Sequence, residues 1–304
     1  MKLDGVHHIT AITGDAQRNV DFYAGALGLR MVKKTVNQDE PSVYHLFYAD
    51  EKGSPGADMT FFEFPDAAPG RPGAGMLHRI IWRVGSEDAL GFWEERLGGA
   101  GVEVSRNEGA LRFADPEGLE HELVVAFADD APLIADHPEV PAEHALQGFE
   151  GARAYSADPE RSRSLLENQL GFEPLGEMWN VRGKRRGGTW AYDPPPPERG
   201  IQGAGTVHHI AWASETDEHE EWRKRAMDGG AHPTPVIDRF WFESIYFREP
   251  SGVLFEIATL DPGFAVDEDP EHLGESLILP PFLQGRREEI ERVLTPVTNP
   301  RESA

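Results

Sequence analysis

The sequence predicts an α+β protein made of four βαβββ modules that combine in pairs, and two internal alignments carry that prediction. In the first, an offset of 143 carries Gly5 onto Gly148, Asp15 onto Asp158, Leu27 onto Leu170 and Gly28 onto Gly171. In the second, an offset of 134 carries Phe113 onto Phe247, Pro116 onto Pro250, Gly118 onto Gly252 and Glu122 onto Glu256. Segments one (Gly5 to about Pro65) and three (Gly148 to about Pro196) are therefore related through their first halves. Segments two (Met76 to about Phe127) and four (Thr206 to Asp261) are related through their ends.

Each element has a local reason. Segment one opens with the β-branched run VHHITAIT, then a helix is expected from Asp15 to Leu27. An aspartate at the start can cap free N–H groups, and Gly28 after the end supplies a left-handed C-cap. Segment three repeats this with Asp158 and LLENQLGF. Segments two and four close with FADPEGLEHE and FREPSGVLFE, where Pro and Gly fit a tight turn feeding a last strand. A small sheet with a single helix leaves one face uncovered, so four copies should form two pairs. The expected division is residues 1–127 as an N-terminal pair of modules, 128–147 as a Pro-rich acidic linker, 148–262 as a C-terminal pair, and 263–304 as a tail with a short helix. The four prolines from Pro194 to Pro197 read as a surface loop.

Composition narrows the function. A net charge of −24, from 29 basic and 53 acidic residues, repels phosphate and argues against nucleic acid or an anionic membrane as partner. No apolar run reaches membrane-spanning length, and MKLDGVHHIT enters a strand without the features of an export signal, so the cytoplasm is the expected compartment. The absence of cysteine removes disulfides, zinc-thiolate sites and thiol nucleophiles. Six lysines among 29 basic residues fit either a salt-adapted source or a genome that writes Arg for Lys.

Chemistry is concentrated in two histidine pairs, His7-His8 in GVHHIT and His208-His209 in TVHHIA, and in Glu256 at the end of FREPSGVLFE. Successive strand residues point to opposite faces, so one histidine of each pair can serve a given site. Two imidazoles and a carboxylate on one side of a divalent metal leave positions open, which is the donor set of non-haem Fe(II) oxygen enzymes. Residue order alone leaves the choice between His7 and His8 open.

The repeat, the histidine pairs, the terminal Glu strand, YHLFYAD (Tyr44 to Asp50) and the tail GFAVDEDPEHLGESLILPP resemble the vicinal oxygen chelate (glyoxalase/bleomycin resistance/dioxygenase) superfamily over nearly the whole chain. Within it the chain looks most like ring-cleaving hydroquinone dioxygenases. The resemblance implies two open, cupped mixed β-sheets. It implies metal ligands at His8, His209 and Glu256, with His7 and His208 beside them orienting groups or shuttling protons. It also implies Arg239 and Tyr246, in DRFWFESIYFREP, next to the substrate. The implied reaction is extradiol-type opening of a diphenol ring with O2 at Fe(II), with Mn(II) as the other candidate ion. The partners are then a small aromatic diphenol and O2, and a homo-oligomer is compatible with this reading. Trp190, Trp212 and Trp241 read as core or pocket wall.

Glu122 occupies the Glu256 position in segment two, but Arg79 stands where segment four has His209, and Gly151 stands where segment one has His8. A second site should therefore hold no metal, and segments one and four should share the working one. Two other readings share the fold. A catechol substrate would need the same metal. A glyoxalase-type isomerase would use Ni(II) or Zn(II) with a further carboxylate, for which Glu63 is the candidate, although Glu63 reads as an outward strand residue. A binding protein of the bleomycin-resistance type would need no triad.

Overall fold

The computed structural model describes residues 1–107, 109–126 and 128–300; Phe127, at the end of the expected N-terminal pair, and the last four residues of the expected tail lie outside them. Four modules are present. The first has strands β1 (Val6–Thr13), β2 (Arg30–Val36), β3 (Tyr44–Ala49) and β4 (Asp58–Glu63), with helix α1 (Ala16–Val20) after β1. The second has β5 (Leu77–Val84), helix α2 (Glu87–Gly99), β6 (Val104–Asn107), β7 (Ala110–Ala114) and β8 (Glu120–Val125). The third has β9 (Phe149–Tyr155), helix α3 (Glu160–Ser164), β10 (Glu173–Leu175), β11 (Met178–Arg182) and β12 (Gly187–Asp193). The fourth has β13 (Val207–Ser214), helix α4 (His219–Asp228), β14 (Ile237–Asp238), β15 (Glu243–Arg248) and β16 (Leu254–Thr259). A further short helix, α5 (Arg287–Val293), follows the fourth module.

The strands form two eight-stranded mixed sheets, in the orders β14-β15-β16-β13-β1-β4-β3-β2 and β10-β11-β12-β9-β5-β8-β7-β6. Each sheet takes one module from either half of the chain. Modules one and four join where β1 runs antiparallel to β13, and modules two and three join where β5 runs antiparallel to β9. The sheets thus cut across the division into N- and C-terminal pairs. Two buried side-chain hydrogen bonds link modules that are neighbours in the chain: Tyr23 of module one donates to Asp115 of module two at 3.0 Å, and Tyr192 of module three donates to Glu249 of module four at 2.9 Å.

Local detail follows the sequence closely in module one. Asp15 caps α1 by accepting from the Arg18 amide, and the helix widens into a π-turn over Asp21–Ala26 before Gly28 at φ +69°. Module three repeats the π-turn over Leu165–Gln169 and the left-handed Gly171. There Asp158 makes no side-chain cap, because the helix starts one residue later on Pro159, whose ring supplies a helical φ of −59°. Both closing turns are pinned by an acid: Asp115 accepts from the amides of Glu117 and Leu119, and Glu249 from those of Ser251 and Val253.

The core joins the two sheets. Trp190 of the second sheet packs edge-on against Trp212 and Phe255 of the first, with ring centroids 5.8 and 5.2 Å apart. Trp212 is completely buried, and its truncation to Ala would cost about 3–5 kcal/mol. Among the described residues no helix is long and apolar enough to cross a membrane.

Candidate metal centre

Register places the site. In the first sheet Thr10 pairs with His209 and with Thr60, Ala211 pairs with His8 and Glu256, and Glu256 pairs with Tyr246. Directly paired residues point to the same face, so His8, His209, Glu256 and Tyr246 share one face with Thr10, Thr60 and, through β3, Phe47. A register shift between Val6 and His8 breaks the alternation at His7 and lets both imidazoles of the pair turn inward.

His8 Nε2 and His209 Nε2 lie 3.3 Å apart, and Glu256 Oε2 lies 3.2 Å from the first and 2.9 Å from the second. All three side chains are buried, and they form the one His/Asp/Glu cluster with metal-binding spacing among the described residues. Donors of a facial set about 2.1 Å from an ion would lie about 3 Å apart, so the spacing fits. The placement of protons fits as well. His7 Nε2 faces the Thr259 carbonyl at 3.1 Å and must donate to it, which leaves His7 Nδ1 to accept from His8 Nδ1 at 2.9 Å. His8 Nε2 then carries a lone pair aimed at a carboxylate oxygen. His208 Nδ1 stands 2.8 Å from His209 Nδ1 and can fix that ring in the same tautomer. Two lone pairs and a buried anion facing one another call for a cation.

The surroundings hold these atoms still. Ser244 donates to Glu256 Oε1 at 2.5 Å, while Glu256 Oε2 is buried without a hydrogen-bond partner. His7 is pushed down to about 3 by burial and by His8.

A cavity opens on the cluster. Its walls include Phe62, Phe242, Trp241 and His45, and its mouth includes Gln38, Asp39 and Arg239. Arg239 Nε donates to the Tyr246 hydroxyl at 3.3 Å, and its Nη2 reaches the exposed Asp39 at 3.0 Å. Gln38 donates to the Arg239 carbonyl at 2.8 Å. Burial raises the Tyr246 pKa, helped by Glu256. Phe240, next to Arg239, holds φ at +74°, a strained value for a bulky residue.

Of the seven residues singled out in the sequence, His8, His209, Arg239 and Tyr246 line the cavity, Glu256 stands within 3.2 Å of both ligand imidazoles, and His7 and the exposed His208 lie behind His8 and His209 rather than on the cavity wall. Trp241 is pocket wall, whereas Trp190 and Trp212 are core. Glu63 does face away from the cup, but it is buried rather than exposed, accepting from the Ala16 amide at the start of α1. His45, Ser244, Phe242 and the 37–39 loop escaped the sequence reading, because strand register and loop path decide their place. YHLFYAD carried the one available signal for His45.

The second sheet has no such cluster among the described residues. Arg79 donates to Glu122 at 3.4 Å and to Glu120 at 2.8 Å, and Arg112, in register with Glu122 as Tyr246 is with Glu256, donates to Glu122 at 2.9 Å. At Gly151 an added Cβ would meet the Thr189 carbonyl oxygen at 2.1 Å, so no imidazole fits there. Guanidinium groups supply the positive charge in this cup.

The family model for the Glyoxalase/Bleomycin resistance protein/Dioxygenase superfamily matches residues 5–123 and 148–257. The chain is 42% identical to the Bacillus subtilis (strain 168) protein named "Putative ring-cleaving dioxygenase MhqO", with 97% of each chain covered. It is 33% identical to the chlorohydroquinone/hydroquinone 1,2-dioxygenase of Sphingobium indicum, with 96% of each covered. A crystal structure of a "putative dioxygenase" from Bacillus subtilis superposes with a TM-score of 0.92 at 40% identity, covering 98% of both chains.

Proposed function

Because this chain belongs to the Glyoxalase/Bleomycin resistance protein/Dioxygenase superfamily and, within it, to the ring-cleaving dioxygenases, we propose that it opens a hydroquinone ring with O2 by extradiol-type chemistry at an Fe(II) held by His8, His209 and Glu256. The observation that carries this reading is the convergence of two lone-pair imidazoles and one buried carboxylate on a cavity walled by aromatic rings. An ion held there would supply positive charge that favours the phenolate form of a bound hydroxyl, and would leave positions free for O2; Mn(II) is the alternative metal.

The chain's own groups do the rest. Phe62, Phe242 and Trp241 exclude water and sandwich a flat ring. Arg239 offers a planar fork to a ring oxygen that gains negative charge as the ring is attacked, and Tyr246 donates a hydrogen bond on the same wall. His7 and His208 fix the tautomers of the two ligand rings, and are the groups placed to take up or return a proton there.

The test is anaerobic reconstitution with Fe(II), followed by oxygen uptake with hydroquinone, methylhydroquinone, catechol and the methylglyoxal-glutathione adduct. Uptake with the hydroquinones, with both oxygen atoms entering the ring-opened product, is the expected result. Preferential uptake with catechol would move the substrate class. Anaerobic turnover of the thiohemiacetal with Ni(II) would replace the dioxygenase reading by an isomerase.

A further inference from the structure

His45 is the one imidazole lining the cavity that neither belongs to the cluster nor touches it through a hydrogen bond. It projects from β3, two strands from β1, so about 9–10 Å along the sheet from the strand that carries His8. The cup brings that wall opposite the wall of Arg239 and Tyr246, with the cluster on the strands between. Its ring is clamped by Phe47 and Phe62, with centroids 3.9 and 4.4 Å away.

A chain of hydroxyls sets its tautomer. Thr60 Oγ1 donates its single proton to Thr10 Oγ1 at 2.7 Å. The same Thr60 oxygen lies 2.9 Å from His45 Nε2, and with its proton already given it can only accept. His45 therefore carries its hydrogen on Nε2, and Nδ1 keeps a lone pair. Among the described residues nothing donates to that lone pair. Burial favours the neutral ring and holds its pKa well below the usual histidine value, with the neighbouring His8, His209 and Arg239 acting the same way. A fixed, neutral acceptor at the wall of an aromatic cavity matches a hydroxyl hydrogen.

We propose that His45 Nδ1 accepts the hydrogen bond of the diphenol hydroxyl on the side of the ring away from the His8–His209–Glu256 cluster, and so selects phenols whose second oxygen carries a hydrogen. This rests on the diphenol reading above. His45 acts as a specificity residue in binding: it takes a hydrogen bond, and no bond forms or breaks at it.

Two variants separate this role from a structural one, because each keeps one half of the ring. Asn places an acceptor near the Nδ1 position and gives up the Thr60 contact. Gln reaches the Nε2 position, can keep the Thr60 contact, and offers nothing at Nδ1. Anaerobic, metal-replete wild type, His45→Asn and His45→Gln are titrated with hydroquinone and with 4-methoxyphenol, whose second oxygen has no hydrogen. Fluorescence of the pocket Trp241 reports binding. Wild type is expected to prefer hydroquinone by about tenfold, Asn to keep that preference within about threefold, and Gln to lose it with unchanged affinity for methoxyphenol and unchanged metal content. Preference retained in His45→Gln, preference lost in His45→Asn alone, or no preference in wild type would each overturn the proposal. If the preference depends on His45 as described while wild type takes up no oxygen with either compound, the binding role stands and the dioxygenase chemistry fails. If oxygen is consumed and the preference is indifferent to His45, the chemistry stands and the binding role fails.

Discussion

Glu256 uses its two oxygens differently, one held by Ser244 and one left facing His8 and His209 without a hydrogen. Removing any donor of this set should therefore remove the site, since two protein ligands rarely hold Fe(II) against water and buffer. Purified protein should bind one metal per chain by elemental analysis, His209→Ala and Glu256→Ala should bind none tightly, and Glu122→Ala should still bind one. A second equivalent lost in Glu122→Ala would show that the guanidinium-filled cup is a metal site after all. Arg239 is the cation at the mouth, shared between Tyr246 and Asp39. If its fork meets a ring oxygen that becomes more negative, Arg239→Ala should lose about 2–4 kcal/mol of transition-state stabilisation, roughly 30- to 1000-fold in kcat/KM, with metal content unchanged. Arg239→Lys should fall between, having charge without the fork. Near-normal turnover in metal-replete Arg239→Ala would reduce the residue to an ion-pair partner of Asp39, worth less than about 1 kcal/mol.

At the scale of elements, the turn before β8 carries a relay that should be felt in acid. Trp82 Nε1 donates to His121 Nδ1 at 3.0 Å, so His121 carries its hydrogen on Nε2 and gives it to the Tyr23 hydroxyl at 2.9 Å, which donates to Asp115 at 3.0 Å. Burial holds the His121 pKa down to about 3 from 6.5. The unfolded chain binds this proton first, so the contribution is complete above pH 6.5 and is lost as pH falls toward 3. Asp115 runs the other way: burial raises it to about 6 from 3.8, so its contribution is complete below 3.8 and is lost as pH rises through about 6. Comparing thermal unfolding of wild type with His121→Asn cancels the Asp115 contribution to first order. The variant should be less stable at pH 7, and the gap should narrow by about 3 kcal/mol at pH 4; a gap independent of pH would mean that His121 titrates normally. The Asp15 cap, the left-handed glycines after the helices and the Pro-Gly turns before β8 and β16 could be read from spacing, because each is decided within a few residues. His45 and Ser244 could not, since facing the cavity depends on how β3 registers on β4 and β15 on β16, across gaps that no local pattern encodes. Asp158 shows the converse, a correct motif displaced by the proline that follows it. The choice of His8 over His7 needed the register shift at β1, visible only with β13 in place.

Over the whole molecule, the repeat foretold four modules, and the surviving ligands foretold that the first and last would pair. We propose the 128–147 segment as the boundary between halves, and the sheets make a sharp demand of a cut there: each half keeps two modules and half of each sheet. Residues 1–147 and 148–304 expressed separately should each bind no metal, since His8 lies on one and His209 and Glu256 on the other. Coexpressed, they should associate and bind one ion per pair, by size-exclusion chromatography with metal analysis. Metal retained by the C-terminal half alone would show that His209 and Glu256 suffice.

The antiparallel seam between β1 and β13 also has a meaning in time. A ribosome releases His8 long before Glu256, and β1 long before β13, so in the interval β1 has a bare edge where its neighbour will be. The nascent protein therefore cannot capture a metal ion prematurely with its full ligand set. The module that closes the first sheet is made after the other three, and the exposed edge of β1 is the place where a stalled or truncated chain would seek a partner in another molecule.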